Sequence, residues 1–104
     1  THAQDIAEAV RIMLDKRIQN DDFNICGQNT YKIGALAQKV WTKVNPDLDF
    51  PGFRHLAAPS ADVRFRVGKS EKARRILGWE PKYDLDFILE DTLNYLKQWM
   101  EQVK

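Results

Sequence analysis

The sequence predicts an α+β fold, a small and mostly helical domain with a few short strands. Three observations carry this. Apolar residues recur at helical spacing in four separate stretches. Two short runs, Phe23–Cys26 and Val63–Val67, have the composition and patterning of strands. Gly, Pro, Asn and Ser mark the joints between these segments. A length of 104 residues suits one domain, so residues 1–104 are expected to form a single unit.

The first helix is expected over Asp5–Arg17. Asp5 serves as N-cap or first-turn acid, and Ile6, Val10, Met13 and Leu14 share one face. Phe23–Cys26 reads as a short strand closed by Gly27. A second helix is expected over Tyr31–Val44, with Ile33, Leu36, Ala37, Val40, Trp41 and Val44 in one stripe, and Asn45-Pro46-Asp47 stops it. Residues 48–62 contain Pro51, Gly52 and Pro59 and suggest only a short extended piece near Leu48–Phe50. Val63–Val67 alternates apolar and basic residues, the pattern of a half-buried strand with Arg64 and Arg66 on one face.

Ser70–Pro81 carries the most complete local signals. Ser70 is expected to cap a helix through its hydroxyl, and Glu71 suits the positive helix end. Ala73, Ile76 and Leu77 form an apolar stripe, Gly78 supplies the left-handed closing residue, and Pro81 prevents continuation. The last helix is expected from Asp84 or Leu85 to Gln102. It has two adjacent stripes: Leu85, Leu89, Leu93, Leu96, Met100 and Val103, then Ile88, Thr92, Tyr95 and Trp99. Two readings fit the second stripe: a small bundle that wraps the helix on two sides, or a face turned toward a domain outside this chain.

Composition narrows the function classes. The net charge of +1 argues against a generally nucleic-acid-binding or membrane-adhering protein. One cysteine, Cys26, excludes an internal disulfide and fits a reducing, cytoplasmic setting. No apolar run approaches the roughly 20 residues of a membrane span. The chain begins at Thr1 rather than Met, as expected of a fragment or processed product. Charge is unevenly distributed: residues 54–75 hold seven basic residues against two acids, a net of +5 between acidic flanks. That middle reads either as an anion site or as a solvated face paired with acids of the last helix.

Catalytic signatures are sparse. His2, His55 and Cys26 lie too far apart for metal-ligand spacing or a local nucleophile signature. Cys26 reads as a small buried residue, His2 as structural at a strand end, and Glu90-Asp91 as solvated acids. The glycines never fall at dinucleotide or P-loop spacing. Arg64 and Arg66 remain. Guanidinium groups match phosphate with paired planar donors, so the two are candidate substrate-binding residues for a diphosphate, beside the helix start at Ser70. Their alternative is pairing with acids of the last helix.

Several motifs carry a resemblance. His2-Ala-Gln-Asp-Ile-Ala-Glu-Ala-Val, Phe23-Asn-Ile-Cys-Gly27 and the stretch from Asp62-Val63 to Leu77-Gly-Trp-Glu-Pro81 occur in order. Together they resemble the C-terminal part of the NAD-dependent epimerase/dehydratase family, the extended short-chain dehydrogenases. The resemblance implies a parent enzyme with an N-terminal Rossmann domain that binds NAD(P), and it makes this chain the smaller C-terminal lobe for substrate binding. The family's Tyr-x-x-x-Lys is missing, because Tyr31, Tyr83 and Tyr95 are followed four residues on by Ala35, Phe87 and Trp99. The chain alone is therefore expected to bind no cofactor and to be inactive, with a small molecule such as a nucleotide sugar as its partner, together with the missing Rossmann domain. No nucleic-acid or membrane partner is expected, and the chain is expected to be monomeric or weakly associated. Pro59 stands where sugar-nucleotide members commonly place a diphosphate-holding Arg. The competing reading is a non-catalytic ligand-sensing or protein-interaction module on the same scaffold.

Overall fold

A computed structural model describes every residue from Thr1 to Lys104 and contains four helices: α1 (Ala3–Asp15), α2 (Ile33–Val44), α3 (Glu71–Leu77) and α4 (Leu85–Gln102). No strand forms, so the expected α+β class is corrected to all-α. The reason is the lack of ladder partners. A lone extended segment leaves its backbone groups unpaired and gains nothing from strand propensity. Around Phe23–Gly27 side chains take that role. Lys72 Nζ donates to Asp22 O at 2.8 Å, Ser70 Oγ donates to Cys26 O at 3.1 Å, and Gly27 N donates to Thr1 Oγ1 at 2.8 Å. Val63–Val67 is an exposed irregular segment.

The residues divide into two compact units. One comprises residues 1–29 and 68–104, the other residues 30–67. Every buried residue lies in the first unit. Its core is Ala9, Ala73, Leu77 and Trp79, with Ile12, Met13, Ile18, Phe23, Ile25 and Ile76 packed against them. Ala9 of α1 and Ala73 of α3 are fully buried, and side chains this small let two helices approach closely.

α1 starts earlier than its stripe implies, because His2 is the N-cap. Its Nδ1 accepts from Gln4 N at 3.1 Å, and its Nε2 donates to Asp91 at 3.0 Å. These two bonds place the ring proton on Nε2. Tyr83 stacks on Phe87 with centroids 4.5 Å apart, and the His2 ring lies 4.7 Å from that of Tyr83. His2 is therefore structural, as expected, but as a helix cap rather than a strand end. α1 closes through Arg17, whose φ of 52° is left-handed. Ile18 N then donates to Met13 O at 3.0 Å and its side chain turns into the core.

Asp5 lies in the first turn of α1 and is almost fully buried. Its carboxylate accepts from Lys82 N at 2.9 Å and Tyr83 N at 3.3 Å, and its backbone oxygen accepts from Trp79 Nε1 at 2.8 Å. One residue thus ties α1 to the segment between α3 and α4. α3 ends as its sequence requires, with Gly78 at φ 66° and Trp79 N donating back to Ala73 O at 3.4 Å. Its start differs from expectation. Ser70 occupies the N-cap position, but its hydroxyl bonds Cys26 O and makes no cap. α4 begins at Asp84, which accepts from Phe87 N at 2.9 Å. From Asn94 onward every residue of α4 is exposed.

Candidate anion-binding surface and apolar groove

Arg64 and Arg66 lie in the 30–67 unit, just after a turn in which Asp62 N donates to Pro59 O at 3.1 Å. Both are exposed. Without a strand the alternation no longer places them on one sheet face. The helix start expected to help them, at Ser70, belongs to the other unit and is buried. Two other cations of that basic stretch have acidic partners. Lys72 pairs with Asp21 and lies 4.9 Å above the Phe23 ring, and Arg74 Nε contacts Glu80 at 3.0 Å. Glu90 and Asp91 of the last helix are exposed, as expected, and Asp91 also accepts from His2.

A feature the sequence reading missed lies on α2. Its stripe packs under no helix. Ile33, Leu36, Val40, Trp41, Val44 and Phe50 instead wall an open groove of about 560 Å³. Trp41 Nε1 is buried there without a hydrogen-bond partner. A ring series continues from it: Trp41 to Phe50 at 6.1 Å, Phe50 to Phe53 at 4.8 Å, and Phe53 to His55 at 6.2 Å. The Phe53 ring lies against Gly34, where an added Cβ would meet it at 3.5 Å, an ordinary packing distance. Chemically, the groove offers apolar and aromatic walls, a setting for a flat apolar ring. The signal available in sequence was the crowding of Phe50, Phe53 and His55 after the helix.

Charge follows the same division. Residues 30–67 hold six Lys and Arg against three Asp, a net of +3, while the remaining residues hold ten against twelve, a net of −2. The overall charge of +1 conceals this separation.

The family described as GDP-mannose 4,6 dehydratase matches residues 1–92. The chain belongs to that family. The chain is also similar to the chloroplast stem-loop binding protein of 41 kDa b of Arabidopsis thaliana, with 28% identity over 103 residues, covering 89% of this chain and 27% of the relative. It thus spans about a quarter of that relative's length. No solved structure matches it.

The family motifs acquire physical reasons in this chain. His2 caps α1, Asp5 receives two amides, Ala73 and Leu77 fill the core, and Gly78 adopts the left-handed turn that points Trp79 at Asp5. Most of the signature that resembles the family frames the 1–29 and 68–104 unit, while its Asp62–Val67 part, with exposed Arg64 and Arg66, falls in the 30–67 unit. No helix is long and apolar enough to cross a membrane.

Proposed function

We propose that this chain is the substrate-recognising C-terminal part of an extended short-chain dehydrogenase, an NAD(P)-dependent epimerase, dehydratase or reductase acting on a nucleotide sugar. The supporting observation is the 30–67 unit, which holds a net charge of +3, exposed Arg64 and Arg66, and an apolar groove. In this reading the arginines hold the diphosphate and the groove receives a flat ring of the ligand.

The residues present do not fit the NAD(P) that the family implies. A dinucleotide site needs a glycine turn that opens a helix. The two glycines with positive φ do not provide one, because Gly78 closes α3 at its C-terminal end and Gly52 lies in a loop eight residues after α2. The N-terminus of α4 is occupied by the Asp84 carboxylate, which repels phosphate. Cofactor and hydride chemistry therefore belong outside these residues, and the chain alone is expected to be inactive.

Calorimetric titration with GDP-mannose and UDP-glucose tests the reading. Binding of either that weakens about tenfold in Arg64→Gln or Arg66→Gln supports it. Absence of binding, or turnover by the pure chain, refutes it.

A second reading has its own support. The Arabidopsis relative is named for binding a stem-loop, and the separation of charge leaves the 30–67 unit electropositive. In this reading the unit binds nucleic acid through the same arginines. Retention on heparin and on an RNA stem-loop that falls steeply with salt distinguishes it from the first.

A further inference from the structure

We propose that the 30–67 unit binds unpaired bases of a single-stranded nucleic acid, with Phe65 and Phe53 as stacking platforms and Arg64, Arg66 and Arg54 as the phosphate contacts. The inference rests on the nucleic-acid reading above and adds where the strand lies and which form of it is recognised.

Phe65 is 88% exposed, the most open of the large apolar side chains. It stands between two arginines in an irregular segment, so no sheet or helix turns it inward. An exposed aromatic ring flanked by cations is ill suited to a core and well suited to a base. Every base has a π-face, and each guanidinium reaches the phosphate on either side of it. A second segment, Phe53-Arg54-His55, places a ring beside one arginine. Phe53 is half-exposed, is held by Phe50 at 4.8 Å, and is followed by an exposed cation and an exposed imidazole ring.

The form of nucleic acid follows from the chemistry. Duplex phosphates need only positive charge, and a net of +3 is a weak field for that task. Two exposed rings add stacking only when bases are free of their partners. A single nucleotide would use one ring and leave the other idle. A strand of several nucleotides engages both segments.

The test is fluorescence anisotropy of the intact chain with four labelled probes of equal length: a single-stranded RNA, a single-stranded DNA, an RNA hairpin with an unpaired loop, and a fully paired RNA duplex. We expect the single strands and the hairpin loop to bind at least about tenfold more tightly than the duplex. Phe65→Ala should weaken single-strand binding about tenfold, with Phe65→Trp restoring it. Arg64→Gln and Arg66→Gln should each lower the salt slope by about 0.7. Phe65 is too exposed for its loss to unfold the chain, and circular dichroism of each variant checks this. Tighter binding of RNA than of DNA would assign a role to the 2′-hydroxyl, and equal binding would assign recognition to base and phosphate alone. Equal affinity for duplex and single strand, or an unchanged Phe65→Ala, would overturn the inference and leave the nucleic-acid reading standing. Binding to none of the four probes would overturn both, without bearing on nucleotide-sugar recognition.

Discussion

At the residue scale, stability concentrates in a few side chains with several roles each. Asp5 is the clearest. Its exposure is 2%, and two backbone amides depend on its carboxylate. Asp5→Ala leaves those amides unpaired and should cost about 2–4 kcal/mol in urea unfolding. Arg17 behaves oppositely. It closes α1 at a φ of 52°, where an L side chain is strained, so Arg17→Gly should raise stability by roughly 0.5–1 kcal/mol. Gly68 is constrained by its neighbour. A Cβ there would meet Cys26 Sγ at 2.7 Å and Cys26 Cβ at 3.3 Å. Gly68→Ala should therefore destabilise by about 1–3 kcal/mol, and adding Cys26→Ala should recover part of the loss by removing the sulfur. A double-mutant cycle followed by thermal melting reads this coupling.

At the element scale, an ion pair joins α3 to the segment after α1. The hydrogen bond from Lys72 holds the Asp21 carboxyl below the ordinary carboxylate range, with help from the Asp22 amide. The same bond raises the Lys72 ammonium. A depressed carboxylate contributes stability above its unfolded pKa of about 3.9 and loses it as pH falls through the lower folded value. A raised ammonium contributes stability below about 10.4 and loses it as pH climbs through the higher folded value. Lys72→Met should thus flatten melting temperature against pH at both extremes, and 1 M salt should mimic it in the wild-type chain. An unchanged acid limb in Lys72→Met would refute this role for the pair. α4 shows a second element-scale effect. Its first half is anchored by the Asp84 cap and the Phe87 ring, while nothing packs on Asn94–Gln102. Leu96 and Met100 of the first stripe and Tyr95 and Trp99 of the second are exposed there, so of the two readings of the second stripe the bundle that wraps the helix is not the one this chain forms.

At the scale of the whole molecule, buried residues and charge separate along the same lines. Residues 1–29 and 68–104 hold every buried residue and a net charge of −2, whereas residues 30–67 hold none and carry +3. Few buried apolar contacts mean low local opening free energies. Amide exchange should therefore be fastest across residues 45–67 and slowest at Ala9, Ala73 and Leu77, with limited proteolysis cutting first after Arg54, Arg64 or Arg66. Slow exchange throughout residues 30–67 would show that the unit is stabilised by something other than its own packing. A ligand that slows exchange there would identify the groove or the arginine segment as its site.

Local chemistry determined the helices, and the sequence alone was enough to read them. The stripe from Ile33 to Val44, the glycine closure at Gly78 and the acid at Asp84 act through neighbours three or four residues away, so spacing predicts them. The family was legible for the same reason, because His2, Asp5, Gly78 and Trp79 recur in a fixed order. What spacing could not supply was a partner. Phe23–Cys26 and Val63–Val67 have strand composition, but a strand exists only when another segment pairs with it in a backbone ladder, and no such ladder forms. Ser70 has the right side chain for a cap, yet a carbonyl 44 residues away in sequence, that of Cys26, takes its hydroxyl. The α2 stripe was legible as apolar, but only the tertiary structure decided that it walls a groove rather than fills a core. Periodicity reports which face of an element is apolar, and the long-range packing of the chain decides what that face meets.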